Sequence, residues 1–268
     1  MKALAIEGKF DDCQKLVKQA FSDKELKSLN LTSANSINIG RILPQIVYYF
    51  YAYVNCVDSF KKVVFSTPSG NFGSSLGCEI ARRMGLPVKK LIIAVNENDE
   101  FPKFMETGIY KKIDPSIPCI SNAMNVGNPS NLARYFDLYG GTIDKEGIVH
   151  KQPNLKMMRE NLYSVSISDK ETVETIKEVY QKHNTVLEPH GAVGFAGLNH
   201  YFKNNKKMQA ICLETAHPSK FPEILNKLKL KFDTHPSLEK INKHEGEAEN
   251  LPKEYEKFKE YLLTQELD

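Results

Sequence analysis

The stretch that most restricts what this chain can fold into is Val63-Val64-Phe65-Ser66-Thr67-Pro68-Ser69-Gly70-Asn71-Phe72-Gly73-Ser74, followed by Ser75 to Met84. Its β-branched and aromatic opening reads as a buried parallel strand. The residues after it read as a tight turn opening a helix, because Leu76, Ile80 and Met84 fall on one i, i+4 stripe with Gly73, Gly77 and Ala81 beside it. Gly85 closes that helix and Pro87 prevents it from restarting. Gly70 and Gly73 let backbone come close to a ligand without a Cβ in the way. Free N–H groups at a helix start, aided by the helix dipole, favour an anion there. The turn is either a phosphate cradle or an ordinary strand-to-helix connection, and spacing alone does not separate the two.

The residues around this centre extend the same pattern. Leu91-Ile92-Ile93-Ala94-Val95 is continuously apolar and completes a strand-helix-strand unit, whose C-terminal loop Asn96 to Asp99 lies where ligands of open α/β sheets sit. Further strands are expected at Leu4 to Gly8, Leu162 to Ser168 and Gln209 to Glu214. Helices are expected from Asp11, as N-cap, to Phe21; from Ser130 to Tyr139 behind Asn128-Pro129; from a cap at Ser168 or Asp169 through Tyr180; from Ala192 to Phe202; and from Phe221 to Leu230. Another starts near Asn35 with Ile39, Leu43, Ile46, Val47, Phe50 and Val54 as core positions; Pro44 either kinks it or marks a later start. From Phe232 onward the chain is rich in lysine and glutamate, with Tyr255, Phe258 and Leu262 on the inner face of a solvated helix. Residues 232–268 are therefore read as a charged helical segment set apart from residues 1–231.

With 36 basic and 33 acidic residues the chain is too balanced for nucleic-acid binding, and no basic stripe with interleaved aromatics is present. No apolar run is long enough to cross a membrane and Met1 to Phe10 lacks the shape of a targeting peptide, so the reading is a cytoplasmic chain with a small-molecule partner. Cys13, Cys56, Cys78, Cys119 and Cys212 are odd in number and scattered, which argues for reduced thiols and against both a disulfide framework and a paired metal motif.

Ser69-Gly70-Asn71-Phe72-Gly73 resembles the cofactor-phosphate loop of threonine synthases, pyridoxal-phosphate enzymes of the tryptophan synthase β-like fold. The resemblance continues, in the family's order, through residues 33–41, Asn96 to Asp99, Ser121 to Met124, Glu188 to Gly194 and Glu214 to Phe221. It implies an α/β fold of three layers with a mostly parallel sheet. It also implies pyridoxal 5'-phosphate held by the backbone of Gly70, Asn71, Phe72 and Gly73 and by Ser74, which stands where the family commonly has Asp. Thr215 would face the pyridine nitrogen, and Asn35, Ser36, Asn38 and Arg41 would face the substrate. Residue by residue, plainer roles stay open: Thr215 as a turn residue, His217 as a cap for the next helix, Glu188 and His190 as loop-ordering groups.

The family carries its Schiff-base lysine in an N-terminal half, in a Phe-Lys-Asp-like motif. Here Phe60-Lys61-Lys62 and Phe202-Lys203-Asn204 share only the Phe-Lys pair, so no residue is assigned a catalytic role. The expectation is the C-terminal portion of a threonine synthase: a truncated product, an incomplete sequence, or half of a split enzyme whose N-terminal half is a separate chain. The complete enzyme would convert O-phospho-L-homoserine and water to L-threonine and phosphate. Two alternatives are another lyase of the same fold and a noncatalytic protein that binds a phosphorylated ligand.

Overall fold

In the computed structural model every residue from Val63 to Pro68 is buried, as a strand with apolar neighbours on both faces requires. The structure describes residues 2–241, 246 and 248–264. In chain order its elements are β1 (Leu4–Ile6), α1 (Phe10–Ser22), α2 (Gln45–Cys56), β2 (Val63–Pro68), α3 (Gly73–Arg83), β3 (Val88–Val95), α4 (Glu100–Thr107), α5 (Leu132–Leu138), β4 (Thr142–Ile143), β5 (Val149–Lys151), α6 (Leu155–Asn161), β6 (Leu162–Ser166), α7 (Asp169–His183), α8 (Pro189–Lys203), β7 (Ala210–Cys212), α9 (Pro222–Lys227), α10 (Pro236–Ile241), β8 (Glu249–Leu251) and α11 (Tyr255–Thr264). They form two compact units, Ala34–His235 and Met1–Ser33 with Pro236–Asp268.

The larger unit is built on a sheet ordered β6-β3-β2-β7, in which every neighbouring pair is parallel. One face carries the main core, where Phe65, Leu91 and Ile93 meet Tyr49, Leu76, Phe101 and Tyr135. On the other face α8 brings Leu198 and Tyr201 against Val64 and Ile92. The helix lies close to the sheet because position 197 is glycine: a Cβ there would stand 2.7 Å from the Cβ of Ala94. Helices on both faces of a parallel sheet make the expected three-layer α/β arrangement. In the smaller unit β1 pairs in parallel with β8, and Asp23 accepts from Tyr255 Oη at 2.7 Å and from Lys259 Nζ at 3.0 Å.

The helix after residue 35 differs from its sequence reading. A 3₁₀ turn at Ile39–Arg41 comes first, and α2 begins only after Pro44, the later of the two starts its proline allowed. Its inner face is Ile46, Tyr49 and Tyr53, whereas Ile39, Leu43, Val47 and Val54 are exposed. A helix that is apolar all round has no periodicity to orient it. The tyrosines decide, because their hydroxyls find acceptors on one side only: Tyr49 at Ser74, Tyr53 at the carbonyls of Ser59 and Lys61. Met84, expected on the inner stripe of α3, is likewise exposed, and α1 starts at Phe10 with Asp12 accepting from the Lys9 N–H.

Glu100 opens α4 in the core of the larger unit, where its side-chain atom Oε2 has no hydrogen-bond partner. Burial pushes its pKa up to about 8. Between about pH 4.3, where a free glutamate titrates, and that raised value, the folded state keeps a proton the unfolded chain has lost. Stability therefore falls as pH rises across this window. Urea denaturation at about pH 6 and about pH 8.5 should show a smaller loss of midpoint for Glu100→Gln than for the wild type; equal losses would show that Glu100 does not supply the slope.

Candidate functional site

In a parallel sheet all C-terminal strand ends share one edge, and that edge gathers the residues singled out by sequence. After β2 the chain is pinned by Ser69 N donating to the Ala94 carbonyl at 2.8 Å. Phe72 then adopts φ 61°, a left-handed conformation costly for a side chain with a Cβ. Its ring is held edge-on by Phe101 at 4.9 Å and Tyr135 at 6.0 Å, so core packing over-determines the turn. From Gly73 the backbone is helical, and the N–H groups of the first turn of α3 have no carbonyl within the helix to bond. Unpaired N–H groups of this kind, with the helix dipole, favour an anion.

The two glycines of the turn do different work. A Cβ at Gly70 would stand 2.6 Å from Met124 Cα and 2.9 Å from the Ala123 carbonyl, so what approaches Gly70 is the backbone of Ala123 and Met124, in the segment 121–124. The atoms nearest a Cβ at Gly73 would belong to side chains, Ser36 Cβ at 3.3 Å and Gln45 Nε2 at 3.6 Å.

Asn71 joins three segments. Its Nδ2 donates to Ser36 Oγ at 2.8 Å, and its Oδ1 accepts from Ser130 N at 2.7 Å and from Ser130 Oγ at 3.0 Å. Asn131 Nδ2 donates to Ser36 Oγ at 3.1 Å and to the Asn71 carbonyl at 2.8 Å. The Arg134 guanidinium donates to the carbonyls of Ser36, at 3.1 Å, and Ile37, at 2.7 Å, and to Asn131 Oδ1. Sequence reading missed Ser130, Asn131 and Arg134; the only signal was the helix start at Asn128-Pro129.

Of the remaining positions, Asn35 and Asn38 close turns by accepting from the N–H groups of Ile37 and Gly40. Arg41 is exposed at the end of its 3₁₀ turn. Ser74 Oγ shares a hydrogen bond with Tyr49 Oη at 2.9 Å. Thr215 is exposed in the loop after β7, on the sheet edge of the cradle because β7 pairs with β2 and Leu213 N donates to the Ser66 carbonyl.

Beside that loop Glu188 caps α8, accepting from the N–H groups of His190 and Gly191 at 2.8 Å, and pairs with His190 Nδ1. His190 Nε2 accepts from Ala123 N at 3.2 Å, so Nδ1 carries the proton directed at Glu188. His190 thereby secures the 121–124 backbone that packs on Gly70. Glu214 accepts from Glu188 N at 3.0 Å; though its side chain reaches solvent, desolvation by the protein around it and the Glu188 charge push its pKa up to about 8. His217 caps the turn Pro218–Lys220, accepting from Ser219 N, in line with its reading as a cap.

The two Phe-Lys pairs lie elsewhere. Lys61 and Lys62 precede β2, whose six residues separate them from the cradle by about 20 Å. Lys203 ends α8, after which the chain enters β7 beside the start of β2, with Val64 N donating to the Gln209 carbonyl. Among the described residues no group of three or more His, Cys, Asp or Glu could hold a metal ion. Among the described residues no helix is long and apolar enough to cross a membrane.

Comparison with known proteins adds to this geometry. The sequence model of the family described as "Pyridoxal-phosphate dependent enzyme" matches residues 2–213, and that described as "Threonine synthase, C-terminal" matches residues 191–262. The threonine synthase of Buchnera aphidicola subsp. Schizaphis graminum is 38% identical over 269 residues, which cover 98% of this chain and 58% of the relative. That of Saccharomyces cerevisiae is 37% identical, with 96% of this chain and 54% of the relative covered. The crystal structure of threonine synthase from Escherichia coli superposes with a TM-score of 0.85 at 35% identity, covering 98% of this chain and 58% of that one. A pyridoxal-phosphate-bound threonine synthase from Brucella melitensis gives 0.81 at 32% identity, covering 98% and 59%. The chain thus spans a little over half the length of the relatives it matches.

The glycine geometry ranks two substitutions. Gly70→Ala forces backbone apart and should cost about 1–3 kcal/mol. Gly73→Ala brings a Cβ to 3.3 Å from Ser36 Cβ, a contact that a shift of a few tenths of an ångström relieves, and should cost well under half as much. Urea denaturation of both variants reads the difference, and equal costs would refute the assigned contacts.

Proposed function

The chain belongs to the pyridoxal-phosphate-dependent enzyme family, and from that premise we propose that it supplies the cofactor-phosphate cradle and the substrate-facing segment of a threonine synthase. The reaction is conversion of O-phospho-L-homoserine and water to L-threonine and phosphate, carbon–oxygen lyase chemistry in threonine biosynthesis. The observation that carries this reading is the glycine turn opening α3, tied through Asn71 to Ser36.

Pyridoxal phosphate fits the residues present. The first-turn N–H groups of α3 offer donors to a phosphate, and the turn before them is fixed from both sides. Gly70, Asn71, Phe72, Gly73 and Ser74 would hold that phosphate through backbone and hydroxyl groups. Asn71 acts by orientation, since both ends of its amide are engaged by Ser36 and Ser130. Thr215 would present a neutral hydroxyl to the ring nitrogen, which leaves that nitrogen largely unprotonated. Asn35, Ser36 and Asn38 shape the substrate-facing turn. Arg41 offers a planar fork with no acceptor among the described residues, suited to the substrate's phosphate. When bound, the cofactor supplies an electron sink for bond breaking next to the substrate's α-carbon.

The Schiff-base lysine is assigned to a polypeptide outside these 268 residues, and the protein to the cytoplasm, in keeping with five unpaired cysteines. One observation favours the second reading, a noncatalytic binder of a phosphorylated ligand: both Phe-Lys pairs stand at the sheet edge opposite the cradle.

An absorbance titration with pyridoxal phosphate, repeated with inorganic phosphate as competitor and followed by borohydride and peptide mapping, tests the proposal. Binding that phosphate displaces, with no stoichiometric adduct on any one lysine, is the expected result. Binding indifferent to phosphate would remove the cradle, and one lysine trapped stoichiometrically would place the catalytic residue in this chain.

A further inference from the structure

The outer side of α2 is a second surface that the fold leaves unused. Ile39, Leu43, Val47, Tyr48, Tyr51 and Val54 are each between 44% and 69% exposed. On α2 itself Val47, Tyr51 and Val54 follow one another at intervals of four and three residues with Tyr48 beside them, opposite Ile46, Tyr49 and Tyr53, and Ile39 and Leu43 are exposed in the turn that leads into the helix. The helix Gln45–Cys56 carries no charged residue in its 12 positions. A helix apolar on every side is a buried helix, and an exposed patch of this extent with tyrosines in it has the composition of an interface core.

We propose that this face docks the polypeptide corresponding to the part of the threonine synthase relatives that lies outside the match. This rests on the functional reading above. Two observations select that occupant. The chain covers 98% of itself but only 58% of the Buchnera and Escherichia coli proteins, so a large polypeptide accompanies the matched portion in each. The exposed apolar residues also begin at Ile39, in the 3₁₀ turn that ends in Arg41 and directly follows the Ser36 to Asn38 turn bonded to Asn71. A partner lying along α2 therefore reaches the cradle at its end, where a lysine is required. A second copy of this chain would cover the same side chains and leave that requirement unmet.

The test mixes the full 268-residue chain with a recombinant polypeptide comprising the region of the Schizaphis graminum symbiont's threonine synthase outside the match, and measures association by sedimentation and calorimetry. A one-to-one complex is expected, weakened at least ~10-fold by Val47→Glu and by Tyr51→Glu. Both variants should keep the wild-type urea midpoint, since both positions are exposed. Absence of a complex, or a complex indifferent to both substitutions, overturns the proposal. So does self-association of the chain that the same substitutions abolish, which would make the occupant a second copy. Borohydride trapping with pyridoxal phosphate separates this inference from the functional one. A complex dependent on α2 but without a lysine adduct refutes the function and keeps the docking face; an adduct formed independently of α2 does the reverse.

Discussion

The site depends on one side chain more than on any other: the Asn71 amide, held between Ser36 and Ser130. An amide has a donor end and an acceptor end, so it can join two partners of opposite demand in a fixed direction. Asn71 therefore sets where the Ser36 turn lies relative to the glycine turn and where the segment leading into α5 lies against both. Asn131 and Arg134 reinforce the arrangement by taking up carbonyls of the same segments. Each bond is worth only about 1 kcal/mol net, but leaving a buried partner unpaired costs more than making the bond gains. The network is thus retained or lost largely as a unit.

Secondary to this is the pairing of the 121–124 backbone with Gly70. Its approach is possible only without a Cβ, and it is maintained from the far side by His190, itself aligned by Glu188 at the start of α8. The cap of α8 and the cradle turn are coupled in this way through a short irregular segment. A turn whose residue 72 sits at positive φ needs such support, because the unstrained alternatives for phenylalanine lie elsewhere.

How much of this was legible in the sequence follows from the range of the interactions. β2 declared itself, because six consecutive residues suited to burial on both faces leave no other element to form. The helix start at Gly73 and the cap at Ser168 rest on contacts within a few residues, and both are readable. The face of α2 was not, since its periodicity is degenerate and the choice is made by tyrosine hydroxyls meeting Ser74, Ser59 and Lys61. Arg134 and Asn131 were invisible for another reason: their partners lie 60 to 98 residues away, and no local pattern encodes a side-chain bond of that span. The pairing of β1 with β8 joins the two ends of the sequence and is beyond local reading in the same way.

A parallel sheet separates its two edges by the length of its strands, and that polarity bears on how the chemistry can be completed. The cradle follows the C-terminal end of β2, and Thr215 follows that of β7. The residues that enter those strands, Lys61, Lys62 and the stretch after Lys203, lie at the opposite edge. Buried hydrogen-bonded strands do not slide by the six residues needed to exchange edges, because every backbone group and side chain would change partner. A lysine that meets the cradle must arrive over the C-terminal edge, on chain that lies outside the strands themselves. The turn at Ser36 already sits at that edge, bonded to Asn71, and the exposed apolar residues before and along α2 start from the same turn. Strand polarity thus puts both Phe-Lys pairs and the Gly70–Gly73 turn at opposite ends of the same strands, a separation that no local rearrangement of the sheet removes.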